Sequence, residues 1–124
     1  MGISAIENID ALVVVEPGKR TSQVALSADG IRVVVFAFDT GAELTEHTAP
    51  GPIVVQALEG HLTFTAEGIT KHLRPGGVLH LDARIPHSVQ AVEPSKMMLM
   101  LLRRSPERAP EITVPAGVME SAER

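Results

Sequence analysis

Between residues 22 and 103 apolar and polar positions alternate in short runs, and glycine or proline closes each run. A period of two, interrupted in this way, predicts β-strands joined by turns. The stretch SQVALSADGIRVVVFAF (22–38) gives two β-rich runs around Ala28-Asp29-Gly30, where glycine suits a positive φ. PIVVQALEGHLTFTAEG (52–68) gives two more around Glu59-Gly60. ITKHLRPGGVLHLDA (69–83) reads as a short strand, a Pro-Gly-Gly turn and another strand. HSVQAVEPSKMMLMLLR (87–103) reads as a pair split by Glu93-Pro94-Ser95. At least seven short strands, with turn signals roughly every 8–12 residues, predict an all-β antiparallel sandwich or barrel. Only residues 3–12 carry a trace of helical period.

The faces follow from the alternation. With Glu59-Gly60 as a two-residue turn, Leu58 stands opposite His61, Ala57 opposite Leu62, Val55 opposite Phe64 and Ile53 opposite Ala66. One face is then Ile53, Val55, Ala57, Leu62, Phe64 and Ala66, the barrel interior. Gln56 and His61 look away from it. The runs IRVVVFAF (31–38) and KMMLMLLR (96–103) are apolar on both sides, so a second cover is needed over them. Terminal segments or a neighbouring subunit would serve; the amount of methionine and leucine favours a homodimer. The expected layout is an N-terminal segment, 1–19, packing on the barrel; the barrel itself, 20–103; and an extended C-terminal arm, 104–124.

Composition narrows the function. The 124 residues fit one domain, and 44% hydrophobic with 21% charged residues is globular. Net charge is −4 with scattered lysines and arginines, and tryptophan and tyrosine are absent, so nucleic acid is not an expected partner. The three phenylalanines do not make an aromatic sugar platform. Lack of cysteine excludes disulfides, thiolate metal sites and a cysteine nucleophile. No apolar run reaches the ~18–20 residues of a membrane span. Acidic residues near the N-terminus stand where a signal peptide carries basic ones, which makes a soluble cytoplasmic protein the expectation.

Two histidine-bearing stretches, GAELTEH (41–47) running on to Gly60, and PGGVLHLDARIPHSV (75–89), resemble the motifs of the cupin superfamily. The resemblance covers roughly residues 20–103. It is closest to small, single-domain RmlC-like cupins of the conserved-barrel (cupin_2) type, with a degenerate metal motif. The first motif of that family reads G-x5-H-x-H-x3–4-E-x6-G. Gly41, His47 and Gly60 match it, while Ala49 stands at the second histidine and Ile53 at the glutamate. The second reads G-x5-P-x-G-x2-H-x3-N. Gly76 or Gly77 opens it and His87 matches its histidine; Asp82, Arg84 and Ala91 replace the proline, glycine and asparagine. The resemblance implies an antiparallel double-stranded β-helix, or jelly-roll barrel, and carries the family's metal chemistry only onto His47 and His87.

A catalytic first-row ion needs three or more protein donors with one position open. Two histidines imply a weak divalent site, in which zinc, nickel, iron, manganese and copper are not distinguishable. Glu43 and Glu46 precede His47 and either is a conceivable further carboxylate. His61, His72 and His80 read as ordinary surface or core histidines. Family epimerases pair a histidine base with a tyrosine acid, and this chain has no tyrosine. What remains is a pocket walled by Ala49, Ile53, Val55 and Phe64 with His47 and His87 at its polar end, the general form of a small-molecule site. The first expectation is a barrel that binds a small organic ligand. The alternatives are a metal-dependent oxygenase or isomerase, and a regulatory or structural barrel with no working pocket. No residue is singled out as catalytic.

Overall fold

The computed structural model describes residues 2–103. Nine strands are found among them: β1 (Arg20–Ala28), β2 (Ile31–Phe38), β3 (Glu43–His47), β4 (Ile53–Glu59), β5 (Leu62–Ala66), β6 (Ile69–Leu73), β7 (Val78–Leu81), β8 (His87–Ala91) and β9 (Ser95–Leu102). They form a five-stranded sheet in the order β1-β2-β9-β4-β7 and a four-stranded sheet in the order β3-β8-β5-β6, with every pairing antiparallel. The two sheets enclose one core, which makes the domain a double-stranded β-helix of jelly-roll type.

Only two connections are hairpins within a sheet, β1–β2 and β5–β6; at every other step the chain passes from one sheet to the other. The β1–β2 hairpin turns at Asp29-Gly30 as the alternation predicts. The pairing across Glu59-Gly60 does not form. β4 pairs with β7 and β9, and β5 pairs with β6 and β8. The hairpin in this region lies one strand later, at Glu67-Gly68, where φ values of 54° and 74° give both residues the left-handed conformation of a tight turn. Gly60 also has a positive φ, 80°, but it serves a crossing. A Cβ there would run into the Pro94 carbonyl oxygen and Ser95 Oγ, so the position requires glycine for closeness as well as for φ. The segments at 74–77 and 92–94 likewise connect strands of different sheets.

The assignment of faces survives this correction, because alternation along a strand does not depend on which strand lies beside it. Ile53, Val55, Ala57, Leu62 and Phe64 are all buried inside the barrel with Phe36, Phe38, Val89, Met97 and Leu99. Each large side chain among them contributes about 1.5–3 kcal/mol by leaving water.

A second, smaller cluster lies on the outer face of the five-stranded sheet. Val35 and Ala37 are buried there under Val13, with Ile9, Leu12, Val15 and Leu58 around them. Part of the second cover over β2 is therefore the chain's own N-terminal segment. The helical period at 3–12 amounts to a single 3-10 turn, Ile9–Leu12, whose start is capped by Asn8 accepting from the Asp10 amide. The segment is held in place by Lys96, whose ammonium donates to the Asp10 carbonyl (2.9 Å) and pairs with the Asp10 and Glu59 carboxylates. Further along, the Asp39 carboxylate accepts from the Gly18 and Thr40 amides, and these bonds hold it below the usual carboxylate range. The arm expected over 104–124 lies outside the described residues.

Candidate functional site

His47 ends β3 and His87 begins β8, and the two are register partners at one end of the four-stranded sheet. Their placement depends on an irregularity in β3. Leu44 pairs with Val89 and His47 with His87, three residues on one strand against two on the other. Without that extra residue, His47 would face outward when Leu44 faces the core. The bulge turns both to the inner side. His87 needs no such device, since it shares the inward face of β8 with Val89 and Ala91.

The two imidazole rings lie 4.3 Å apart between centroids, with planes inclined at 60°. Each ring is held through Nδ1 by the carbonyl two residues earlier in the chain: His47 by Thr45 within β3 (2.7 Å) and His87 by Ile85 in the loop before β8 (2.8 Å). A carbonyl oxygen only accepts, so Nδ1 carries the hydrogen in both neutral rings. Both Nε2 atoms are then acceptors, and no described residue bonds to either.

His87 is only 3% exposed, and Phe64 lies against it with centroids 5.3 Å apart and planes 10° from parallel. Burial pushes the His87 pKa below the ordinary imidazole value. The Ile85 carbonyl opposes that shift and the neighbouring His47 adds to it. The neutral ring is the favoured one. His47 is half-buried and forms the more open side of the pair.

The loop before His87 is tied to the segment after His47 by the Arg84 amide, which donates to the Ala49 carbonyl at 2.8 Å. Arg84 itself has φ 65°, a left-handed conformation unusual for a side chain of its size. Of the four apolar positions expected to wall a pocket, Ala49, Ile53, Val55 and Phe64, all are buried in the inner cluster. Phe64 stacks on the imidazole side, while Ile53 and Val55 belong to β4 in the opposite sheet.

The other polar candidates disperse. Glu43 and Glu46 are exposed, and among the described residues no three His, Asp or Glu side chains gather in one place. His80 points outward between Leu79 and Leu81, 4.0 Å from Asp82. His61 and His72 make a second pair that the sequence reading missed. His61 Nε2 stands 2.8 Å from His72 Nδ1 on the outer side of the four-stranded sheet.

A metal is the group that a double-stranded β-helix of this resemblance implies. His47 and His87 suit one chemically, since an imidazole anchored through Nδ1–H presents Nε2 as a donor. Their number does not suit a resident catalytic ion, for which three protein donors are the minimum. The described residues do not complete that set. What the pair does offer is two adjacent hydrogen-bond acceptors, on fixed rings, beside an aromatic face.

No protein-family model matches this chain, and no curated protein matches it. Solved structures do. A conserved protein of unknown function from Streptococcus pyogenes superposes with a TM-score of 0.74 at 25% identity, over 85% of this chain and 92% of that one. A cupin 2 conserved barrel domain protein from Leptotrichia buccalis gives 0.73 at 29% identity, over 77% of this chain and 47% of that one. A cupin superfamily protein from Desulfitobacterium hafniense gives 0.72 at 21% identity, over 76% and 86%.

Proposed function

We propose that this chain, which has the fold of the small cupin barrels, binds a small organic molecule at the His47–His87 end of its barrel. The observation that carries the reading is the matched pair of Nε2 acceptors. Two neutral imidazoles close together have nothing to donate to each other through those atoms. A ligand bearing hydroxyl or N–H donors satisfies both at once, and each charge-neutral bond of this kind is worth about 0.5–1.5 kcal/mol net. Phe64 and Ala49, buried beside the pair, make the surroundings of the polar end apolar, in keeping with the usual make-up of such sites. Because Ile53, Val55 and Phe64 are packed into the core, the ligand engages the histidine end and meets half-buried His47 first. A divalent ion joins this site only where ligand atoms complete the coordination that His47 and His87 begin.

The reading includes a homodimer acting in the cytoplasm. Its support is apolar surface the monomer leaves in water, with Ile3, Val14 and Val78 more than half exposed. Sedimentation of the untagged chain at micromolar concentration should give twice the 13.2 kDa of one copy. A single species of that monomer mass removes the dimer.

Binding is tested by a thermal-shift screen of polyols, hydroxy acids and amines, each with and without zinc, on the wild type and on His47→Gln. Ligands of the proposed class raise the melting temperature of the wild type and leave the variant unmoved. Stabilisation that is equal in both proteins rules out the site, and stabilisation that needs zinc in every case moves the reading to a metal-dependent one.

A further inference from the structure

The second histidine pair lies on the outer surface, away from the proposed binding end. His61 immediately precedes β5 and His72 lies on β6, the edge strand of the four-stranded sheet. The register Thr63↔His72 and Leu62↔Leu73 makes His61 and His72 diagonal neighbours on one face. Their rings are 5.0 Å apart between centroids and inclined at 47°.

Both side chains stem from fixed backbone. The His61 amide donates to Ser95 Oγ (3.0 Å), and the His61 carbonyl accepts from Val92 N (2.9 Å) and from Ser95 Oγ (3.2 Å). Ser95 is fully buried, so this anchor is built into the fold. His72 sits inside a paired strand. Pre-organisation of this sort removes most of the ordering cost from a bidentate interaction.

We propose that His61 and His72 form an exchangeable surface chelate for a divalent zinc-class ion, bound through His61 Nε2 and His72 Nδ1. The 2.8 Å between those atoms is the first argument. Two nitrogens held at ~2.0–2.1 Å from one zinc are about 2.9–3.4 Å apart at octahedral to tetrahedral angles, so the rings need to part by only a few tenths of an ångström. Exposure is the second argument. His72 is exposed and His61 half-buried, so water completes the shell that two protein donors leave open, a role the buried His87 end does not share. In the free protein the same contact is an N–H···N bond. On metal binding the hydrogen of the donating ring moves through solvent to that ring's far nitrogen, and both facing nitrogens become ligands. Of the nearby charges, Glu93 favours a cation here and Arg74 opposes it.

The test uses untagged full-length chain, zinc alone as the probe, calorimetry for affinity, and two-bond proton–nitrogen spectra of the histidine rings to show which nitrogens are ligated. Zinc should shift His61 Nε2 and His72 Nδ1 together at one equivalent. His61→Gln and His72→Gln, each checked for an unchanged melting curve, should weaken binding on the order of 100-fold, the gain that tethering a second donor supplies. His80→Gln and the double variant His47→Gln/His87→Gln should retain it. Zinc shifts confined to other histidines, or an affinity unchanged in His61→Gln, would overturn the proposal.

Discussion

Phe64 covers one face of the His87 ring, nearly parallel to it, so the ring at this end of the four-stranded sheet lies between an aromatic face and its partner His47. Burial holds the neutral form of His87 in the folded state. The unfolded chain binds a proton there near the ordinary value of 6.5, and the folded chain binds it only at lower pH. The contribution is therefore whole above that value and is lost as pH falls toward the folded-state pKa. Denaturant melts between pH 8 and pH 5 should show stability dropping below about pH 6.5, with a flatter profile in His87→Gln. His61, also shifted down, leaves a residual slope of the same sign.

The carbonyls of Thr45 and Ile85 fix which nitrogen is protonated on each ring of the inner pair. At pH 8, ring spectra should show both His47 and His87 as Nδ1–H tautomers. An Nε2–H form at either would remove the paired acceptors on which the binding reading rests.

Arg84 occupies a left-handed backbone conformation that costs a side-chain-bearing residue about 1–2 kcal/mol relative to glycine. The second family motif has glycine at that position. Arg84→Gly should raise stability by about 0.5–1 kcal/mol, after the greater freedom of glycine in the unfolded chain is subtracted. Chemical denaturation measures it directly, and a loss of stability would mean that the arginine side chain contributes more than its backbone strains.

The two Glu-Gly pairs should respond to mutation differently. Gly60→Ala pushes a methyl into the Pro94 carbonyl and Ser95 Oγ and forces a positive φ, so a loss of about 3 kcal/mol or more is expected. Glu67→Asn sits at the first central position of an open two-residue hairpin turn that asparagine favours, so a gain of a few tenths of a kcal/mol is expected. Melting temperatures of the two variants should move in opposite directions.

Those two dipeptides also mark where the sequence stopped being legible. Each announces a positive φ, and both have one. Neither says whether the next strand returns beside the last or crosses to the facing sheet, because that depends on partners far along the chain. Faces needed only local alternation, so Ile53, Val55 and Phe64 could be placed inward correctly while their strands were paired wrongly. The His61–His72 contact was within reach: a turn at Glu67-Gly68 sets Ala66 against Ile69 and so Thr63 against His72. The inward turn of His47 was not, since no residue type in Thr45-Glu46 announces a bulge. The cover over Val35 and Ala37 was read as a neighbouring subunit before a terminal segment, and Val13 supplies part of it from within the chain.

The repeated passage of the chain between sheets bears on how quickly the domain assembles. Outside the β1–β2 and β5–β6 hairpins, no strand finds a hydrogen-bonding neighbour next to it in sequence. Most native pairings must therefore close long loops before they gain anything, which places the domain among slow, high-contact-order folders of the millisecond-to-second class. The β1–β2 and β5–β6 hairpins are the elements able to form early by themselves, and β9, which joins β2 to β4, can dock only after almost all of the barrel sequence is available.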